Sequence, residues 1–244
     1  MRLLLPPSET KLKGGLPATG PLTVSFRPQD AVRGRLMVAL ETFCREEPVK
    51  AAQALKLGPK SIEELANNVF DGAPVLPAID RYTGVLYSAT GVADWTPVER
   101  DWAATNIFIH SSLLGIISSA DPIPNYRLSY DSKVARVSLR DVWSDTASNA
   151  IAEMAVGDWV LDCRSEGYRA LAPVPPEVES RFLEVVTKEG GKALNHFNKV
   201  HKGELVQKLV SARPRLPNPE SFAQWADGAG VKVHLGGRTI TLAV

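Results

Sequence analysis

Arg81, Tyr82 and Thr83 follow directly on Asp80 inside the stretch PAIDRYTGVLY, residues 77–87. A guanidinium, a phenol and a hydroxyl offer about seven hydrogen-bond donors within one turn, framed by apolar Ala78, Ile79, Val85 and Leu86. Gly84 lets a second segment or a ligand approach the backbone closely, and Pro77 suits the first turn of a helix. Two accounts fit such a cluster: a structural ion pair between Arg81 and a core carboxylate, or a ligand site. Further stretches repeat the pattern of polar residues bunched in an apolar setting. They are PPSETK with Ser8 and Lys11, PNYRLS with Tyr126 and Arg127, DCRSEGY with Arg164, Ser165 and Tyr168, and NKVHKGE with Lys199 and Lys202. The chain is expected to bring these stretches together, with Lys11, Arg81, Arg127, Arg164 and Lys202 lining one concavity.

Such a set of cations suits phosphate, carboxylate or a nucleic-acid backbone. Tyr82, Tyr126 and Tyr168 are able to stack on bases or donate to oxyanions. Carboxylates accompany them at Glu9, Asp80, Asp162, Glu166 and Glu204. A buried lysine–carboxylate pair acts as acid and base when burial shifts its pKa values. The patterns GxSxG, HExxH and GxGxxG do not occur, nor does a Cys/His set at zinc spacing. His196 and His201 stand five apart and do not share a helix face. No metal and no cofactor are expected.

Strands must deliver these groups. Residues 2–5, RLLL, read as a short buried strand stopped by Pro6–Pro7, which leaves Ser8 to Lys11 just beyond a strand end. DWVLD reads as a second strand running straight into Arg164, Ser165 and Tyr168. Strand ends in mixed sheets are where ligand sites are built. NIFIH, residues 106–110, reads as another buried strand, and ALAPV and FLEVV as two more. Residues 12–29 carry no period and form a loop. Helices are expected from Asp30, as N-cap, to about Glu47, and from Ser61, through a capping box with Glu64, to about Val69. Others cover the opening stretch to about Ala89, and about 94–102, 138–154, 198–210 and 219–226. The C-terminus is a hairpin turned at Gly236–Gly237. The turn LKLGPK, with Lys56, Gly58 and Lys60, partly matches the hairpin of helix-hairpin-helix motifs, although Lys56 stands where the first glycine would be. A plain helix–turn–helix connection fits it as well.

Composition sets outer bounds. The 244 residues carry a net charge of +1, so overall charge does not advertise nucleic-acid binding. Between Lys188 and Arg215 basic residues outnumber acidic ones, which marks either a basic surface or a solvated helix face. No apolar run is long enough for a membrane span, and the N-terminal leucines are too few for a secretory segment. Cys44 and Cys163, far apart, imply no disulfide framework. Strands and helices alternate without a low-complexity linker, as in one α/β domain of the mixed α+β kind over residues 1–244. A cytoplasmic location is expected.

Five segments carry a resemblance: LLLPPSETK, PAIDRYTGVLY, SSLLGIISSADPIPNYRLS, LDCRSEGYRALAPVP and HFNKVHKGEL. They run in order from residue 3 to about residue 205, and the chain resembles the YaaA-type peroxide-stress proteins in their actinobacterial form. The resemblance implies a single α/β domain with a central mixed sheet, a positively charged cleft and a helix-hairpin-helix-like element. It further implies a cytoplasmic role in limiting damage by hydrogen peroxide, with double-stranded DNA as a partner. Ser118–Ser119 replaces the family's usual Arg-Pro, which removes one cation from that cleft. The expected function is that of a DNA-binding peroxide-stress protein using the cleft as a phosphate track. The alternative is an enzyme on a small anionic or nucleobase-containing substrate in a Lys/Arg/Tyr-lined pocket. A long open groove would favour the first, a closed pocket the second.

Overall fold

The computed structural model describes residues 1–134, 137–187 and 195–244. Lys188, Glu189 and Lys192 of the basic run lie outside the described residues. The first strand, β1 (Arg2–Leu5), is the middle of the construction: Leu3, Leu4 and Leu5 are each fully buried. A strand covered on both faces reads as an unbroken apolar run, which is why RLLL shows no alternation. Chain order then gives α1 (Asp30–Glu46), α2 (Pro48–Ala54), β2 (Val75–Pro77), α3 (Ala78–Arg81), α4 (Val85–Ser88) and α5 (Pro97–Asn106). Next come β3 (Ile107–Ser111), β4 (Gly115–Ser118), β5 (Pro122–Pro124), α6 (Leu139–Met154), β6 (Val160–Asp162) and α7 (Glu166–Leu171). The chain closes with β7 (Ser180–Val186), α8 (Asn195–Ala212), α9 (Pro219–Gly228), β8 (Val233–Leu235) and β9 (Thr239–Ala243).

One sheet of seven strands runs in the order β4-β3-β1-β6-β7-β9-β8. β1 pairs in parallel with β3 on one side, Leu4 opposite Phe108, and with β6 on the other, Leu4 opposite Asp162. β7 and β9 continue the parallel run, and the two edge strands are antiparallel hairpin partners. The fold is thus mixed α/β around a mixed central sheet. β2 and β5 form a separate antiparallel pair.

Several elements differ from their sequence expectation, each for a local reason. The opening stretch is two single helical turns, because Gly84 takes φ = 100° between them. Its interruption is used for pairing: Lys11 bridges Tyr82 in antiparallel fashion, Leu12 N–H donates to Arg81 O, and Thr83 N–H donates to Thr10 O. Residues after LKLGPK form a 3-10 helix, Pro59–Asn68, in which Pro59 opens the first turn two residues before Ser61. The Ser61–Glu64 capping box is therefore not at a helix start. ALAPV is no strand: α7 ends at Leu171, and the Ala172 carbonyl is taken by Arg164. α1 starts at Asp30, but the residue at its N-cap position is Gln29, whose buried amide closes a two-bond ring with the backbone of Ile116.

Gly203 on α8 marks a close helix contact, since a Cβ there would sit 2.3 Å from Leu86 O. α8 therefore lies directly on the α4 turn. Arg81 fastens the same region from below. Its guanidinium, fully buried, donates to the carbonyls of Ile123 (3.2 Å), Pro74 (2.9 Å) and Leu12. Arg81→Met leaves three carbonyls without their donor, the Ile123 carbonyl in a buried bond, and is expected to cost about 1–3 kcal/mol. Urea unfolding monitored by tryptophan fluorescence measures it, and an unchanged midpoint would show that water replaces the guanidinium.

Candidate functional site

Parallel pairing puts the carboxyl ends of β1, β3 and β6 side by side at one edge of the sheet. The strand order reverses around β1, because the chain passes first to β3 on one side and later to β6 on the other. That reversal opens a crevice at the strand ends, the usual position for a ligand in such sheets. Each of the three strands delivers a polar group there: Ser8 to Lys11 after β1, His110 to Ser112 at the end of β3, and Asp162 to Arg164 after β6.

Lys11 holds the first position. Its Nζ donates to Ser8 O at 3.0 Å and Glu9 O at 3.3 Å. It also lies 4.0 Å from the Tyr126 ring centroid and 5.5 Å from that of Tyr82. Desolvation, then the nearby Arg127 charge, lowers the Lys11 pKa to about 7. The Glu9 and Glu64 charges act in the opposite sense, favouring the ammonium. Gly84 makes room for the loop: a Cβ there would meet Ser8 Oγ at 2.9 Å and Thr10 Oγ1 at 3.0 Å.

Behind the amine runs an ordered chain of hydroxyls. Ser111 Oγ accepts the N–H groups of Leu113 (3.2 Å) and Leu114 (3.0 Å), which occupies both of its lone pairs. Its own hydrogen must then go to Tyr126 Oη at 2.8 Å, and the Tyr126 hydrogen to Tyr82 Oη, also at 2.8 Å. The Tyr82 phenol is left as the terminal donor of the chain. Burial raises the pKa values of both phenols, so they stay protonated and donate rather than ionise.

The β6 end is closed on itself. Arg164, fully buried, grips Asp162 through Nε (2.9 Å) and Nη2 (2.9 Å), and its Nη1 reaches His110 Nδ1 at 3.0 Å and Ala172 O at 2.8 Å. Since a guanidinium only donates, His110 Nδ1 accepts and the ring proton sits on Nε2. Burial and the Arg164 charge hold His110 neutral, its pKa well below the usual range. Nε2 is a buried side-chain atom without a hydrogen-bond partner. Tyr168 links the two halves, its ring edge-on to His110 and to Tyr130. Lys202 comes from α8, buried, with Nζ 3.1 Å from Cys163 O and 5.1 Å from the Phe182 ring centroid. Desolvation lowers the Lys202 pKa, and burial pushes the Cys163 thiol up to about 12.

The structure thus gathers Ser8, Lys11, Tyr82, Tyr126 and Arg127 on one side and Arg164, Tyr168 and Lys202 on the other. Arg81 lies beneath them, held by carbonyls and not by a carboxylate. Asp80 pairs instead with Arg100. Arg127 binds Glu9 at 3.0 Å and Glu64 at 3.7 Å, its side chain 15 % exposed. Thr83 contributes its backbone to the Thr10 pairing. Ser165 and Lys199 are exposed. In the turn Lys56–Lys60, Lys56 pairs with Asp131, and the amides of Lys56, Leu57 and Ser61 donate to Gln53, Ala52 and Gly58 carbonyls. Those three amides are consumed within the chain, unlike the phosphate-facing amides expected of a helix-hairpin-helix turn. Among the described residues no group of three His, Cys, Asp or Glu is placed to hold a metal ion.

Two concavities flank this arrangement without being lined by it. One of about 550 Å³ lies beyond Arg127, between Lys13, Glu63, Glu64 and Asp71. The other, about 490 Å³, sits at the opposite ends of the strands beside Asp158, Trp159, Glu177 and Glu179. His110, Ser111 and Ser112 were hidden from sequence reasoning inside an apolar strand. A histidine and two serines directly after NIFI were the available signal.

A family model described as Peroxide stress protein YaaA matches residues 1–231. The chain belongs to this family. Its relatives include a UPF0246 protein of Corynebacterium efficiens, 35% identical over 100% of both chains. UPF0246 proteins of Corynebacterium glutamicum and Streptomyces coelicolor are 34% identical over 96% of this chain and 94% of the relative, and 31% identical over 100% and 98%. The family match spans every strand-end group described above.

Lys11 titration has a consequence for stability. The folded pKa lies near 7 and the reference value is 10.5, so between them the unfolded chain binds the extra proton. Wild-type stability therefore rises with pH across that window, and the penalty of burial is fullest below about pH 7. Lys11→Met removes the penalty. Its stability relative to wild type is expected to be greatest near pH 6 and to fall steadily by pH 10 in urea titrations, whereas a pH-independent difference would show the amine to be solvated.

Proposed function

We propose that the protein serves the cytoplasmic response to peroxide as a single α/β domain, binding and transforming a small anionic or nucleobase-containing molecule at the carboxyl ends of β1, β3 and β6. The observation that carries this reading is the Lys11 amine, held by two backbone carbonyls over the Tyr126 ring at the strand-order reversal. Around it stand phenols fixed as donors and the half-buried Arg127 as the nearest permanent positive charge. A general base or nucleophile, a proton donor and an anion anchor are the elements of acid–base or addition chemistry on a small molecule. Family membership supports the peroxide setting, and the absence of a long apolar helix among the described residues is compatible with the cytoplasm.

Duplex DNA is the second reading, supported by the family resemblance and by exposed cations at Lys60 and Lys199. It is the weaker one on geometry. Arg81, Arg164 and Lys202 are buried, and burial lowers the pKa of Lys11. A phosphate track needs solvent-facing cations that release counterions.

One titration separates the two. Acetate, inorganic phosphate, AMP and a duplex oligonucleotide are each added to the protein at low and moderate salt. The small-molecule reading expects at least one small anion to bind, with Arg127→Ala weakening it by about 2 kcal/mol or more and little effect of Lys60→Ala or Lys199→Ala. Duplex binding with a steep salt slope, reduced by about one for each of Lys60→Ala and Lys199→Ala, and no binding of small anions would replace it with the DNA reading.

A further inference from the structure

We propose that Lys11 and Tyr82 form a carbonyl-condensing pair, the amine adding to a small aldehyde or ketone that carries a carboxylate or phosphate while the phenol donates to the carbonyl oxygen. This rests on the small-molecule reading and names its substrate class. Three features of the geometry converge on it. Ser8 O and Glu9 O take two hydrogens of the Lys11 amine, so in its neutral form the lone pair faces away from both carbonyls. The double occupation of Ser111 Oγ orders the hydroxyl chain so that the donor left over is Tyr82. Lys11 and Tyr82 are also antiparallel bridge partners, and Nζ lies 5.5 Å from the Tyr82 ring centroid, within the span of one small molecule. Arg127, beside Lys11, supplies the charge that holds the anionic end.

The step balances without a redox partner. The Nζ lone pair forms a bond to the carbonyl carbon, and the C=O π pair moves to an oxygen that accepts the Tyr82 hydrogen bond. The nitrogen, now positively charged, passes a proton to that oxygen and leaves a neutral carbinolamine. The hydroxyl then leaves as water with the remaining nitrogen proton, and the C=N bond of the imine forms. Amine and carbonyl compound become imine and water, and Tyr82 ends as it began. A lysine with pKa near 7 has roughly a thousandfold more free amine at neutral pH than an ordinary one, which is what makes such an addition fast.

Reductive trapping tests the pairing. The full chain is incubated at pH 7 with glyoxylate and cyanoborohydride, and the alkylated lysines are mapped by peptide mass spectrometry. Lys11 is expected to be labelled at least tenfold faster than the exposed Lys60 and Lys199, and to favour glyoxylate over neutral propionaldehyde. Tyr82→Phe slows the Lys11 label about tenfold, and Lys11→Arg abolishes it. Wild-type mapping decides the matter even where a variant fails to fold: labelling of Lys11 no faster than that of Lys60 and Lys199 overturns the proposal. Should acetate or phosphate still bind through Arg127 in the titration above, the small-molecule site stands without imine chemistry. Should they not bind either, both ideas fall together.

Discussion

Three backbone carbonyls, from Leu12, Pro74 and Ile123, converge on the Arg81 guanidinium, and the placement of the strand-end groups depends on that convergence. Each carbonyl belongs to a different piece of chain: the loop after β1, the approach to β2, and β5. A buried guanidinium must keep its hydrogens satisfied, so the three pieces are held to one another through it. The loop after β1 is thereby fixed against the break between α3 and α4. Lys11 reaches its position over Tyr126 because Leu12 is anchored one residue away.

Elsewhere the same economy recurs. Asp162 and Arg164 neutralise each other two residues apart, and Arg33 donates to the Leu114 and Ile116 carbonyls across the sheet edge. Charges near the sheet edge are thus spent on holding loops and strands in register. Lys11, like Arg81, is held by carbonyls with no carboxylate in ion-pair distance among the described residues. Burial and the Arg127 charge disfavour its ammonium, against the weaker pull of Glu9 and Glu64. The site's chemistry follows from that imbalance rather than from any surplus of charge.

Much of this was legible in the residues. β1, β3 and β6 follow from their apolar runs, the polar groups at two of their ends from Ser8–Lys11 and Asp162–Tyr168, and the C-terminal hairpin from Gly236–Gly237. What the sequence could not carry was the partner of each cation. Arg81 looks as free as Lys199 when read along the chain, yet one is sealed among carbonyls from residues 12, 74 and 123 and the other is exposed. Periodicity also cannot show that Pro59 starts a helix ahead of the Ser61 signal, or that a φ of 100° at Gly84 splits one helix into two. His110 was masked because a histidine within a strand of isoleucine and phenylalanine reads as core until its neighbours across the sheet are known.

The enclosure of Lys11 has a consequence for the life of the chain in the cell. Its unusual amine is made by packing against Tyr82, Tyr126 and Arg127, so it exists only once more than half of the polypeptide has been synthesised and folded. A nascent or denatured molecule carries an ordinary ammonium at that position. The lowered pKa is therefore a property of the native state, and a molecule that loses its packing loses it too.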